Sequence, residues 1–161
     1  MAARTEREAP AGEVAGISAA ANLLGGSRVF HRRLRHPLDV HEVLSRGLPR
    51  EALTHLISNV AVLHNHALLQ LAIGVSLRTS QRMKAASGKP LSPEQSGRAW
   101  KFAEILTQAI KVFGSQEDAE EWLQRPAMGL DQQRPIDLLA TPAGVTLVED
   151  FLKRLEYGVY T

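Results

Sequence analysis

The stretch from Ser92 to Gly114 has few conformations open to it. Ser92 can cap a helix, Pro93 sits at the first helical position, where a missing N–H costs nothing, and Gln95 is spaced to reach back as in a capping box. Ala99, Ala103, Leu106, Ile110 and Phe113 then recur at helical spacing with Trp100 beside them, and Gly114 supplies the stop. A helix running to about Phe113 with one apolar face must be covered by other elements. The rest of the chain offers helices for that purpose.

No segment alternates polar and apolar residues long enough to make a strand, and the start and stop signals are helical throughout. Helices are expected over Ile17 to Leu24, Pro37 to Arg46, from Pro49 through an apolar stripe of Ala52, Leu53, Leu56, Ile57 and Val60, and from His64 or Asn65 to Ile73. Further helices are expected over Leu77 to Ala86, and after Ser115 with Ala119, Trp122 and Leu123 facing inward. A short turn follows at Pro135 to Leu139, and a last helix is led by Thr141-Pro142, with Val145, Val148, Leu152 and Leu155 stacked. The predicted class is all-α, with roughly eight helices and a soft boundary near residues 88–92. Residues 1–16, rich in Ala, Glu, Arg and Gly, read as a mobile leader.

Composition removes several classes of function. The absence of cysteine excludes a disulfide framework and thiol chemistry. No apolar run reaches the length of a membrane span, and the charges at Arg4, Glu6, Arg7, Glu8 and Glu13 argue against a signal peptide, so a cytoplasmic location is expected. Charge is unevenly spread. Residues 1–100 hold 13 Lys/Arg against 7 Asp/Glu, a balance of +6, and residues 101–161 hold 6 against 10, a balance of −4. Such asymmetry suits two surfaces with different partners.

The six histidines show no metal-ligand spacing; His64 and His66, two apart, point to different sides of a helix. The acidic run Glu117, Asp118, Glu120, Glu121 is explained by the dipole of the helix it starts. No nucleophile elbow, Walker loop or dinucleotide loop is present. The expectation is a protein that is not an enzyme, with no catalytic residue, metal or cofactor.

Two stretches remain as candidates for nucleic-acid contact. From Ser27 to His36 come four arginines and two histidines, which serve equally as a phosphate-facing arm or as a solvated connector. From His66 to Lys84 the pattern is helix, Gly-Val turn and capped second helix, the shape of a helix-turn-helix. Leu69, Ile73, Val75 and Met83 supply its apolar positions; Ser80 stands where an apolar residue is expected, and Gln70 is larger and more polar than the residue usually packed against the second helix. On that second helix Arg78, Gln81 and Arg82 share a face and carry the donors that read base edges, while Ser76, Thr79 and Lys84 can take phosphates. The alternative is a helical scaffold whose exposed face is merely polar.

The second half carries a resemblance. Arg98-Ala99, Val112-Phe113-Gly114, Ala119 with Trp122-Leu123, Pro126, Leu130, Pro135-Ile136-Asp137-Leu138-Leu139, Thr141 and Leu155-Glu156-Tyr157-Gly158 occur in the order and spacing of the toxin-binding domain of Xre/MbcA/ParS-type antitoxins. Residues 97–161 resemble that domain, and residues from about 38 to 92 resemble the Xre-like helix-turn-helix domain that precedes it. The implied division is a mobile N-terminal extension over 1–30, an Xre-like helix-turn-helix domain over 31–91 and a small helical toxin-binding domain over 92–161.

The resemblance implies an antitoxin of a type II toxin–antitoxin pair whose partner is a RES-domain toxin, NAD-degrading or ADP-ribosylating. It implies a homodimer within the complex, contact with operator DNA, and blockage of the toxin's NAD pocket by the C-terminal end. On this chain that end is Lys153, Arg154, Glu156, Tyr157, Gly158, Val159, Tyr160 and Thr161. Tyr157 and Tyr160 can fill aromatic space, and Lys153 or Arg154 can meet acidic groups; equally, Tyr157 can close this protein's own core. The rival from another class is a stand-alone DNA-binding transcription regulator with a C-terminal oligomerisation domain.

Overall fold

The computed structural model describes residues 9–85 and 88–158. Ten α-helices are found among them: α1 Ala11–Leu23, α2 Ser27–Phe30, α3 Pro37–Arg46, α4 Arg50–Asn59, α5 His66–Ile73, α6 Leu77–Ala85, α7 Pro93–Phe113, α8 Gln116–Leu123, α9 Pro135–Leu138 and α10 Pro142–Glu156. Short 3₁₀ turns lie at Ala61–His64 and Met128–Leu130. The described residues contain no strand, only an isolated antiparallel bridge between Ala127 and Gln133. The all-α class predicted from the helical signals is the observed one.

The helix from Pro93 is the hub. Ser92 accepts the Gln95 N–H at 3.1 Å, and Gly114 closes the other end with φ +94°. Helices α1, α3, α5, α8 and α10 all pack on α7. The single apolar face expected for it is therefore too narrow. Ala99, Ala103 and Leu106 are buried as expected, but so are Ser96, Phe102, Ile105 and Ala109, while Ile110 and Phe113 are only partly covered. A helix with neighbours on more than one side buries more than one stripe.

The N-terminal extension differs from its prediction. The first helix begins at Ala11, not Ile17, and Pro10 stands at its N-cap. Alanine has the highest helix propensity, and Ala11, Ala15 and Ala19–Ala21 offset the cost of Gly12 and Gly16. Ile17, Ala20, Ala21 and Leu24 are buried, and α1 packs on α7 and α4. Residues 11–24 are thus part of the body rather than a mobile extension. The basic run also has structure: it holds α2, turns at His31 with φ +55°, and is pinned by Leu34, which is 2% exposed.

The segments before and after residue 91 share one core. Leu24, Leu53, Leu56, Leu63, Leu69 and Ile73 from the first and Phe102, Leu106, Leu123, Ile136, Val148 and Leu152 from the second belong to the same buried cluster. Polar ties run across the same junction. The Leu48 N–H donates to Ser96 Oγ at 2.8 Å, and the Leu91 N–H to the Leu48 carbonyl at 2.9 Å.

Candidate functional site

The helix-turn-helix geometry follows from local chemistry. Asn65 caps α5 by accepting from the Ala67 and Leu68 N–H groups. Gly74 ends the helix in the left-handed region, φ +77°, where only glycine is unstrained. Space reinforces the choice, because a Cβ there would stand 2.4 Å from Arg98 Nη1. Arg98, reaching from α7, donates through Nη2 to the Leu71 carbonyl at 2.6 Å. Its cation thus satisfies the C-terminal end of α5, where the helix dipole favours it. Leu69, Ile73 and Val75 are buried and Met83 half-buried, as the motif requires.

Of the two departures, Ser80 occupies an inward position and is buried; Gln70 is exposed and does not press on the second helix, so its size has no packing cost.

The candidate DNA-contacting residues divide. Arg78, Gln81 and Arg82 are exposed on α6 and make no hydrogen bond or ion pair with a described residue. Ser76 and Thr79 are already engaged: Ser76 Oγ accepts the Thr79 N–H at 3.2 Å and lies 3.0 Å from the Thr79 hydroxyl. They act as the cap of α6, and a phosphate would compete with that cap. The Lys84 side chain lies outside what the structure describes. In the basic run, Arg32 is drawn to Glu42 at 3.3 Å and Asp39 at 4.0 Å, whereas the Arg28, Arg33 and Arg35 side chains are exposed. Burial pushes the Asp39 carboxyl up, but the Arg35 and His36 N–H groups and the charges of Arg32 and His36 outweigh it and hold it below the usual carboxylate value.

The other candidate region is the end of α10. Thr141 caps this helix by accepting the Gly144 N–H at 3.1 Å. Gly144 is buried against α9, where a Cβ would stand 2.0 Å from the Leu138 carbonyl oxygen. Of the expected stripe, Val148 and Leu152 are buried and Val145 and Leu155 half-buried. Lys101 spans from α7 to α10, donating to Glu104 at 2.7 Å and Glu149 at 2.8 Å. Burial lowers the Lys101 pKa, but the two carboxylates outweigh that and leave it raised. Glu104 also accepts the indole N–H of Trp100 at 2.7 Å, so this buried ring has its polar edge satisfied.

Lys153, Arg154, Tyr157 and Gly158 are exposed. Glu156 is half-buried and paired with Lys111. Arg154 lies 5.9 Å above the Phe151 ring, which stacks on Trp122 at 6.1 Å. Tyr157 is 75% exposed, so it does not close this protein's own core. Gly158 takes φ +66° and donates to the Leu155 carbonyl at 3.2 Å. Val159, Tyr160 and Thr161 lie outside the described residues.

Several structural residues had no legible sequence signal. Glu120, assigned above to the acidic run of a helix start, is buried instead. Its Oε2 accepts the Val62 N–H at 2.7 Å and its Oε1 accepts from Gln116 Nε2 at 2.8 Å. Gln116 Nε2 also donates to the Asn59 carbonyl at 2.7 Å, so α8 holds the link between α4 and α5. Arg134 grips Asp137 with two bonds of 2.8 and 2.7 Å, and this fork holds the Asp137 carboxyl below its usual value. Among the described residues no three His, Asp or Glu side chains are grouped as for a metal ion, and no helix is long and apolar enough to cross a membrane.

Residues 39–104 match the antitoxin Xre-like helix-turn-helix domain, and residues 108–158 match the antitoxin Xre/MbcA/ParS C-terminal toxin-binding domain. The first match runs past residue 91 into α7. Among curated proteins the chain is similar to Antitoxin Xre of Photorhabdus laumondii, 27% identical over 121 residues, which covers 74% of this chain and 80% of that one. It is 33% identical to Antitoxin Xre of Yersinia enterocolitica over 91 residues, 56% of this chain and 61% of that relative's length. It is also 28% identical over 133 residues to the Prs ADP-ribosylating antitoxin of Sphingobium sp., covering 77% and 82%.

Proposed function

The chain belongs to the Xre/MbcA/ParS-type antitoxins, carrying their helix-turn-helix and toxin-binding domains in that order, and from this premise we propose that it neutralises a RES-domain, NAD-using toxin by blocking its active site with the segment Lys153 to Thr161. The observation that carries the proposal is the end of α10. A helix fixed by Thr141, Gly144 and the Lys101–Glu149 pair delivers Tyr157 to solvent, 75% exposed, with Lys153 and Arg154 exposed one turn before it. An aromatic ring flanked by cations suits a pocket shaped for the rings and ribose of a dinucleotide and lined by acidic groups. The name of the Sphingobium relative, Prs ADP-ribosylating antitoxin, joins an antitoxin to ADP-ribosylation, a reaction that consumes NAD, and supports a partner of that kind.

Coexpression with the RES-domain protein encoded beside this chain tests the proposal. The full chain should restore growth, and deletion of Tyr157–Thr161 should abolish rescue. Rescue by the deleted chain would show that blockage lies elsewhere; failure of the full chain would refute this partner.

We assign autoregulation to the first half. Arg78, Gln81 and Arg82 form one exposed, uncommitted face of α6, suited to base edges in the major groove. The same face is what supports the second reading, a stand-alone regulator with an oligomerising C-terminal half. Operator binding with no capture of a RES-domain protein would favour that reading. The homodimer belongs to the proposal on either reading, and light scattering of the purified chain checks it.

A further inference from the structure

Along α10, Leu147, Asp150 and Arg154 follow at spacings of three and four, which puts them along one side of the helix. It is the side turned away from the buried Val148 and Leu152. Leu147 is 54% exposed on it. The 3₁₀ turn Met128–Leu130 rides directly on the same helix, because a Cβ on Gly129 would stand 2.1 Å from Phe151 Cε2. That contact sets Met128, 85% exposed, beside the stripe. A groove of about 320 Å³ runs between turn and helix, with Leu130, Leu138, Leu147, Asp150 and Arg154 in its walls. Arg154 is held over Phe151 and has no ion pair with a described carboxylate. Of the five large apolar side chains exposed among the described residues, two, Met128 and Leu147, belong to this turn and this face of α10.

We propose that Met128, Leu147 and Asp150, with Arg154 at the point where they meet the blocking segment, form a docking ridge for the toxin, distinct from the residues beyond Tyr157. The ridge supplies affinity and the segment supplies inhibition. The proposal rests on the antitoxin reading above. The occupant is the toxin because the ridge lies wholly within residues 108–158, matched to a toxin-binding domain, and leads straight into the end assigned to blocking. Methionine and arginine are enriched in the centres of protein interfaces, and arginine is among the side chains that dominate binding. The matching surface of the toxin has an apolar recess for Met128 and Leu147 and an acidic group for Arg154.

Separate variants divide the two roles. The full-length chain is titrated against a catalytically disabled copy of the adjacent RES-domain protein. Met128→Asp/Leu147→Asp should bind about 30-fold more weakly, the loss of one interface hot spot. Deletion of Gly158–Thr161 should leave affinity within about threefold and yet abolish rescue of growth. Both residues are exposed, and melting by circular dichroism should be unchanged; if the aspartates disturb folding, Met128→Ala/Leu147→Ala decides, with an expected loss of about tenfold. Wild-type affinity in the ridge variants, or loss of all binding on removing the end alone, overturns the ridge and leaves the antitoxin reading standing. No binding by the wild-type chain overturns both.

Discussion

Glu120 provides the most informative single substitution. It is 7% exposed, and its two oxygens take the Val62 N–H at 2.7 Å and the Gln116 amide at 2.8 Å. Val62 is itself 4% exposed, so truncation to alanine takes the carboxylate partner from a buried N–H. A hydrogen bond to a charged group contributes about 1.5–3 kcal/mol, and the bond to Gln116 adds about 1 kcal/mol. Glu120→Ala should therefore destabilise the chain by about 3 kcal/mol. For a chain of this size that lowers Tm by about 6–12 °C. Glu120→Gln separates charge from shape. Both partners are donors, so whichever one meets the new NH₂ loses its bond, and a loss of about 1–2 kcal/mol is expected. Urea unfolding followed by circular dichroism gives the totals. Amide exchange at Val62 locates the effect, with protection falling there before it falls at Leu106. A Glu120→Ala chain within about 0.5 kcal/mol of wild type would falsify the claim that this carboxylate pins the α4–α5 link.

Gly144→Ala should cost about 2 kcal/mol through the Leu138 carbonyl 2.0 Å away, whereas Gly97→Ala on α7, with nothing within 4 Å, should stabilise by about 0.5–1 kcal/mol in the same urea series. Lys101→Met removes two partly exposed pairs, to Glu104 and Glu149, and should cost about 0.5–1 kcal/mol, a difference that shrinks in concentrated salt. Asp137 has a folded pKa below its unfolded value, so its contribution is present above the unfolded value of about 3.9 and is lost as pH falls through the folded one; Asp137→Asn should be less stable than wild type at pH 7 and converge with it in acid titrations below that range. Arg78→Ala/Arg82→Ala should lower operator affinity by about tenfold or more per residue in gel shifts while leaving the melting curve in place; unchanged affinity removes α6 as the reading helix.

The helices were legible wherever the chain carried its own punctuation. Ser92-Pro93, Ser115 and Thr141-Pro142 each cap a helix as their chemistry predicts, with the hydroxyl taking an N–H at 3.1 Å in every case. The first helix was misplaced because its glycines look like a leader when read alone. Ile17 and Ala20 become core only once α7 lies against them, and nothing within residues 11–24 encodes that contact. Long-range ties were invisible for the same reason. Glu120 reads as one of several acids at a helix start until Val62, 58 residues away, supplies the donor. In the candidate site, residue type was readable and availability was not. Ser76 and Thr79 look like phosphate ligands in sequence, but their hydroxyls are committed to the cap of α6; Arg78 and Arg82 look like readers of base edges and are uncommitted.

The same distinction bears on how the two halves act together. The matched domains meet on α7, and α7 is tied to both: Arg98 to the end of α5, Lys101 to Glu149 on α10. These residues are three apart, within one turn of helix. A force on α10 from a bound toxin therefore reaches the helix-turn-helix through one rigid element and not through a linker. Rigid transmission by itself does not change DNA affinity, since a ligand shifts an equilibrium only by the difference in its affinity for two states. The sites at which a second state can be sought are the polar ties, because each is replaceable by water at low cost where packed leucines are not. Arg98→Met keeps the aliphatic contact and removes the bond to the Leu71 carbonyl. If the halves are coupled through that tie, operator affinity in this variant should no longer respond to added toxin, while toxin binding itself is retained. A response equal to wild type would place the coupling outside α7.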